Sequence, residues 1–536
     1  MKVLVCFTFI ISLSFQLKAE DDLLSILEDK GKVEVLVEEQ SELENVLKNE
    51  IGKISAEQNI FFSFIRKNQF EKALYQWSSA FAETTFATTP TGRAFYSYIL
   101  LKNKLYVTAV ENLFSIENPT KIPTLLKQVL RLELPSENEV WKQAKIIWKP
   151  VWREVFDLNT EVIVLSRQEF DLAKKDEIFE VLKKTKLKTT ARFWLEWQMA
   201  LSLAMNDEIP KAAKVLAHLL NEEQNVVSKD LIVITAARLL YERGYLDASI
   251  EYYKKINKGS EFWFTAQEEM AWTFMRKGYP QDTLAIAKTQ VIEEFAPQVG
   301  PEMIFLKALA HLKLCDYKEA ADSLYLFKNR FFSRAKDLLK VKEQGVTPAT
   351  ELLVSRLKNG KVKLLDMGKM ARSLPRYLSR DEYLLELVQT YKALEVEAGV
   401  AGELYARSLS GGTAEVGFQA FLEQLKQRVE ARMQLAKNAT YNLIKQRASD
   451  ELNEINQILQ KMHVVEAELI QQSSLSDRVA SANSKSTITS HEGSIKSAGK
   501  YDLIFPFEGE KWFDELSNYK ITVNKACEVA KKGKKE

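Results

Sequence analysis

Glu508 and Glu510 stand one residue apart around Gly509, and two carboxylates at that spacing could serve as a general acid and base. Carboxylates beside a glycine turn are far more often plain surface groups, and nothing nearby completes a constellation. His218, His311, His463 and His491 lie apart from one another, with no His, Cys or carboxylate spacing of a metal site. No glycine-rich phosphate loop and no GxSxG elbow occurs. Asn438-Ala439-Thr440 fits a glycosylation sequon but falls within a predicted helix, where chance accounts for it. The expectation is a protein without catalysis, cofactor or metal.

Cysteine chemistry is equally sparse. Cys6 sits in an N-terminal apolar run, which leaves Cys315 and Cys527 to pair in an oxidising compartment or to remain thiols. The place of Cys315 in a predicted helical repeat favours a plain buried thiol.

The run that holds Cys6, MKVLVCFTFIISLSFQLKAEDD, reads as a secretory signal peptide over residues 1–19, cut after Ala19. A retained anchor is the rival reading, but the apolar stretch from Val3 to Phe15 is shorter than the ~20 residues of a spanning helix. The implied location is the periplasm or cell envelope, with no integral membrane segment after cleavage. Removing Lys2 and Lys18 from 75 basic residues leaves 73, against 73 acidic ones. That balance gives no reason to expect nucleic acid as the partner.

Elements that could position a site are helical. Gly (19) and Pro (12) are scarce among 536 residues, while Leu, Ala, Glu and Lys abound. Small residues recur at Ala73, Ala109, Ala144, Ala212, Ala248 and Ala320, with Ile178 and Asp282 in the same frame, at steps of 36, 35, 34, 34, 36, 34 and 38. Four residues later come Trp77, Leu113, Trp148, Leu182, Leu216, Tyr252, Ile286 and Leu324, and twelve earlier come the small Ser97, Ala200, Ala236 and Ala308. Two helices approach closely only where both carry small side chains, so this spacing predicts stacked helical hairpins.

Over about residues 56–330 the pattern resembles the tetratricopeptide repeat (TPR) family. The resemblance implies a superhelical solenoid whose concave face is lined by the second and fifth positions of each first helix. Here those positions hold Trp194 and Trp197, Asp230 and Val233, Phe264 and Gln267, Glu302 and Phe305. Trp194, Trp197, Val233, Phe264 and Phe305 would then form an apolar groove for an extended or helical peptide. The alternative is that these side chains are core between adjacent hairpins.

The remaining organisation follows from composition. Residues 20–55 form an acidic extension and 56–335 the TPR-like solenoid. Residues 336–414 read as further helices or a cap. Residues 415–472 are a long amphipathic helix whose stripe runs Leu422, Leu425, Val429, Met433, Ala436, Thr440, Ile444, Ala448, Leu452, Ile455, Leu459, Met462, Val465 and Leu469. A period nearer 3.6 than 3.5 favours packing within the chain over a coiled coil with a second copy, which would make an oligomer. Ser-rich residues 473–500 read as a flexible tether. Residues 501–536 carry six aromatics in their first twenty positions and form a small docking segment fixed by Phe505, Phe507, Trp512 and Tyr519. It either folds back onto its own helices or docks onto another protein.

The ending is similar to the ends of exported TPR proteins of gliding and predatory bacteria, through Phe505-Pro506-Phe507, Glu508-Gly509-Glu510, Trp512, Asp514-Glu515-Leu516, Tyr519 and Cys527. That likeness implies an envelope setting, with motility machinery as one expectation. The whole reads as an all-α, non-catalytic exported scaffold for a protein or peptide partner. The alternative is a cell-wall-associated helical protein acting with peptidoglycan enzymes.

Overall fold

The computed structural model describes residues 42–134, 172–185, 189–223, 227–410, 416–476, 486–489, 516 and 518–523. The expected signal peptide, the repeat positions Ala144 and Trp148, and Glu508, Glu510 and Cys527 lie outside them. Among the described residues the chain is helical apart from one short strand pair, so the fold class is all-α.

Two compact units divide the chain: residues 1–167 with 393–434, and residues 168–392 with 435–536. The first contains α1 (Ala56–Arg66), α2 (Phe70–Trp77), a π-helical turn at Ser78–Ala82, α3 (Thr85–Thr88), α4 (Pro90–Lys102), α5 (Tyr106–Phe114) and α6 (Thr124–Glu133). The second contains α7 (Lys175–Lys184), α8 (Thr190–Met205), α9 (Ile209–Asn221), α10 (Lys229–Glu242), α11 (Leu246–Lys254), α12 (Trp263–Lys277), α13 (Pro280–Gln290), α14 (Pro301–Lys313), α15 (Tyr317–Gln344) and α16 (Pro348–Leu357). α17 (Glu382–Ser410) and α18 (Val416–Ser476) contribute residues to both.

Helix starts are set locally. Ser55 and Gln58 form a reciprocal capping box at α1, and Thr347 with Thr350 does the same at α16, with Pro348 at the first helical position. Thr89 accepts from the Gly92 amide ahead of α4.

The repeat is written most clearly in the turns. Asn68, Lys104, Asp207, Gly244, Gly278 and Cys315 all have φ between 54° and 87°. After each, the next amide donates back five residues, Gln69 to Phe64 at 2.9 Å, Leu105 to Leu100 at 3.0 Å, Glu208 to Leu203 at 2.8 Å, Tyr245 to Leu240 at 2.9 Å, Tyr279 to Phe274 at 2.9 Å and Asp316 to His311 at 2.9 Å. This left-handed helix ending satisfies carbonyls that a terminating helix would orphan, and it reverses the chain the same way six times.

Five residues after each of those turns a small side chain is fully buried: Ala73, Ala109, Ala212, Ser249, Thr283 and Ala320. The expected frame is therefore corrected by one residue in two repeats, because Ala248 and Asp282 are exposed. Ser249 and Thr283 serve as small residues since their hydroxyls have somewhere to donate. Each bonds the carbonyl twelve positions earlier, Ser249 Oγ to Ala237 at 2.9 Å and Thr283 Oγ1 to Ala271 at 3.1 Å. The facing helix accordingly offers Ala237, fully buried, rather than Ala236 as its point of closest approach.

In the first unit the core is aromatic. Phe61 meets Phe62, Phe81 and Phe95 edge-on at ring distances of 5.6, 5.0 and 5.8 Å. Ala401 and Leu404 of α17 and Leu422, Leu425 and Val429 of α18 complete that core. The Glu397 carboxylate of α17 accepts from the Val107 amide at 2.7 Å and the Thr108 amide at 3.1 Å, placing an anion on the N-terminus of α5.

The stripe on α18 is buried within the chain. All fourteen positions read from the sequence are buried or half-buried, Thr440, Ile444 and Ala448 completely. No helix among the described residues is long and apolar enough to cross a membrane.

Of the expected tether over 473–500, residues 473–476 and 486–489 are described. α18 runs to Ser476, and β1 (Ser486–Thr489) pairs antiparallel with β2 (Lys520–Val523) in the register Ser486 to Val523. A four-residue strand in a Ser-rich stretch leaves little compositional trace, because its pairing partner lies some thirty residues away.

Candidate functional site

The expected groove positions sit on the first helices of the second unit. Trp197 of α8 is buried with Phe193, Leu216 and Val227, and Trp194 is half-buried against the same cluster. The Trp194 indole N–H is buried without a hydrogen-bond partner. Val233 of α10 and Phe264 of α12 are buried in one cluster, where Phe264 meets Trp263 at 4.8 Å and Phe295 at 5.1 Å. Phe305 of α14 is also buried, 6.1 Å from the Trp272 ring. The structure thus assigns Trp197, Val233, Phe264 and Phe305 to the interior, the alternative that the sequence left open.

Chain from farther along the same unit covers that face. The Lys461 ammonium of α18 lies 5.8 Å over the Phe305 ring. Arg380 donates to the Glu261 carbonyl at 3.2 Å and to Thr265 Oγ1 at 3.0 Å, with its guanidinium 5.1 Å from the Phe262 ring. Gly300 just before α14 is needed for close approach, since a Cβ there would lie 2.1 Å from Arg376 Nη1 and 2.8 Å from Glu268 Oε2.

Sequence reasoning missed the charges buried under this cover. The Glu451 carboxylate accepts from Arg334 Nε at 2.8 Å, Arg334 Nη2 at 3.1 Å and the Arg376 amide at 2.8 Å. Arg376 Nη2 donates to both Glu454 oxygens at 2.6 Å. Arg334 further donates to the carbonyls of Arg372 and Leu374, each at 2.6 Å. The side chains of Arg334, Arg376 and Glu451 are 8, 2 and 6 % exposed, so water screens these charges little.

Electrostatics follow from that enclosure. Burial alone would raise the Glu451 pKa, but Arg334, Arg376 and the Arg376 amide hold it below the usual carboxylate range. Glu268 goes the other way. Burial, with Glu302, Glu454 and Glu269 adding to it against the opposing effect of Arg376, pushes its carboxyl up to about 8. One signal in the sequence could have pointed here: Glu451 lies one position from the apolar stripe at Leu452, on the flank that must enter the interior.

Between these groups a cavity of about 20 Å³ is lined by Glu261, Phe264, Thr265, Gln298, Arg376 and Tyr377 among others. That is room for a single water beside Phe264. Among the described residues no group of three or more His, Cys, Asp or Glu side chains is placed to hold a metal.

The described part of the closing segment packs on the chain itself. Leu516 and Val523 are buried in the cluster that includes Met275, Leu284 and Val299, and Gln281 Nε2 donates to the Val523 carbonyl at 3.4 Å. Tyr519 is half-buried. Phe505, Phe507 and Trp512 lie outside the described residues. The described anchors are therefore Leu516, in a turn, and Ile521 with Val523, which alternate along β2.

Cys315 is disulfide-bonded, correcting the expectation of a plain thiol. Its place explains the error: it occupies a left-handed turn between α14 and α15 rather than a helix interior. The sequence offers Cys6 and Cys527 as mates, both outside the described residues.

Comparisons of this chain with known protein families, with curated proteins and with solved structures found no match.

Proposed function

We propose that this chain is a non-catalytic, exported scaffold of TPR-like helical hairpins that binds a protein partner in the cell envelope. The six identical turns and their buried small residues support a repeat array, an architecture whose usual use is to present an extended surface. The signal-like N-terminus and the disulfide at Cys315 support an oxidising compartment.

On this reading the partner surface lies away from the expected groove residues, of which Trp197, Val233, Phe264 and Phe305 are buried. One observation carries that choice. Along α15, Tyr325, Phe332 and Leu339 recur every seven residues and are 70, 80 and 45 % exposed. Large apolar groups in one exposed row mark an interaction face, whereas scattered ones do not.

The test compares the purified chain with a Tyr325→Ser, Phe332→Ser variant in cross-linked capture from envelope extracts, with far-UV circular dichroism to confirm that the variant folds. The expected result is loss of a defined partner with the fold intact. Capture of the same set by both proteins would reject this surface. Hydrolysis of peptidoglycan by the purified chain would reject the non-catalytic reading.

A further inference from the structure

A second cavity, of about 310 Å³ and lined in part by Arg334, is at the lower end of the ~300–1,000 Å³ range of small-molecule sites. Its polar wall is Arg330, Arg334 and Arg372 with Glu293 and Asp337, and its apolar wall includes Ala296, Pro297, Leu326 and Phe331. These groups come from α15, the turn after α13, and the segment that follows α16.

Arg330 is the informative residue. Its side chain is only 9 % exposed, yet Nε and Nη1 are buried with no hydrogen-bond partner. Nη2 alone is engaged, donating to the Val291 carbonyl at 3.2 Å and the Ile292 carbonyl at 3.4 Å. A buried guanidinium with two idle donors is costly, and burial draws its pKa down. Among the described residues the carboxylate that reaches it is Glu293, 66 % exposed, at 3.4 Å from Arg330 Nη2 and 3.2 Å from Arg372 Nη2. Glu293 thus sits loosely between two arginines in the place of an anion.

Charge then selects the ligand. Arg334 is neutralised by Glu451, so the other two arginines of the wall, Arg330 and Arg372, share the single Glu293 carboxylate, with Asp337 also in the lining. A single carboxylate in the place of Glu293 leaves the charge balance of the wall unchanged, whereas a dianionic phosphate in that place adds a further negative charge beside Asp337. The apolar wall suits a short aliphatic stem behind that carboxylate.

We propose that this cavity binds a carboxylate on a short apolar stem, held by Arg330 and Arg372 in place of Glu293. The stem belongs to a free organic acid or to an acidic peptide side chain, and the two present the same chemistry to the pocket. The inference does not depend on the scaffold reading.

The experiment is isothermal titration of the full chain with butyrate, with N-acetylglutamate methylamide, with inorganic phosphate, and with butyramide as the neutral isostere. Saturable binding of either carboxylate with none of butyramide is expected, and the tighter of the two identifies the source. Glu293→Gln removes the internal competitor and should tighten binding several-fold. Arg330→Met should weaken it by about tenfold or more, the scale of one charge-assisted contact. Because Arg330 also ties down two carbonyls, Arg372→Gln at the 57 % exposed rim provides a variant that keeps the packing and should also weaken binding. No saturation by either carboxylate in the wild type and Glu293→Gln overturns the proposal. So does phosphate binding as tightly as butyrate, or unchanged affinity in Arg372→Gln.

Discussion

Replacing Glu451 by Leu would test whether α18 is clamped inside the second unit. The substitution removes three short hydrogen bonds, two from the Arg334 guanidinium at 2.8 and 3.1 Å and one from the Arg376 amide at 2.8 Å. Breaking one side of a buried ion pair costs about 3–5 kcal/mol, because the remaining charge stays desolvated. Here the lower end applies. Arg376 keeps Glu454 at 2.6 Å, and Arg334 keeps the carbonyls of Arg372 and Leu374. About 3 kcal/mol corresponds to a rise of more than about 100-fold in the opening equilibrium. Since the chain has two units, a single unfolding transition is the wrong readout, and amide hydrogen exchange along residues 440–470 of α18 reads the local change directly. The double variant Glu451→Leu, Arg334→Leu should recover much of the loss, since no guanidinium is then stranded. Exchange accelerated by less than about fivefold in the single variant, or no recovery in the double, would refute the reasoning.

Three further outcomes follow from the packing. Ser249→Leu should destabilise the second unit by about 1–3 kcal/mol through overpacking against Ala237, while Ala248→Leu stays within about 0.5 kcal/mol; thermal melts of the pair decide which residue occupies the small position. Gly300→Ala should cost about 1–3 kcal/mol, read by amide hydrogen exchange along α14, because the new methyl meets Arg376 Nη1, which is pinned by Glu454. Glu268 has its folded pKa raised to about 8, so the stability it contributes is complete below the ordinary carboxylate range and is lost as pH rises toward about 8. A single proton is involved, which limits the slope to ~1.4 kcal/mol per pH unit. Glu268→Gln should flatten the stability profile between pH 5 and about 8 without loss at pH 5, and an unchanged slope would refute the assignment.

The all-helical class and the interval near 35 residues were legible because close helix contacts demand small side chains, and that demand survives in any sequence that meets it. The frame slipped in two repeats for a related reason. Matching on Ala selected Ala248, while the fold uses size and a spare hydroxyl acceptor, which Ser249 and Thr283 satisfy. The left-handed turns give the better ruler. Gly244 and Gly278 stand five residues before the true small position, and Asn68 and Asp207, residue types that tolerate positive φ, mark the same point elsewhere.

The groove was legible only as a row of apolar side chains, and a row of that kind states that a surface is covered without naming the cover. The same holds for the α18 stripe, whose period predicted burial within the chain but not the surface it would meet. Joining the two would have required reading Arg376, Glu451 and Glu454 as one group, and they are separated by some 75 residues. Their burial has an energetic consequence. Separating Arg376 and Arg334 from Glu451 and Glu454 would strand desolvated charges, so a ligand entering there would have to return about as much free energy on binding. We therefore propose recognition at the exposed row of Tyr325, Phe332 and Leu339 and at the cavity around Arg330, where two donors are already desolvated without a partner.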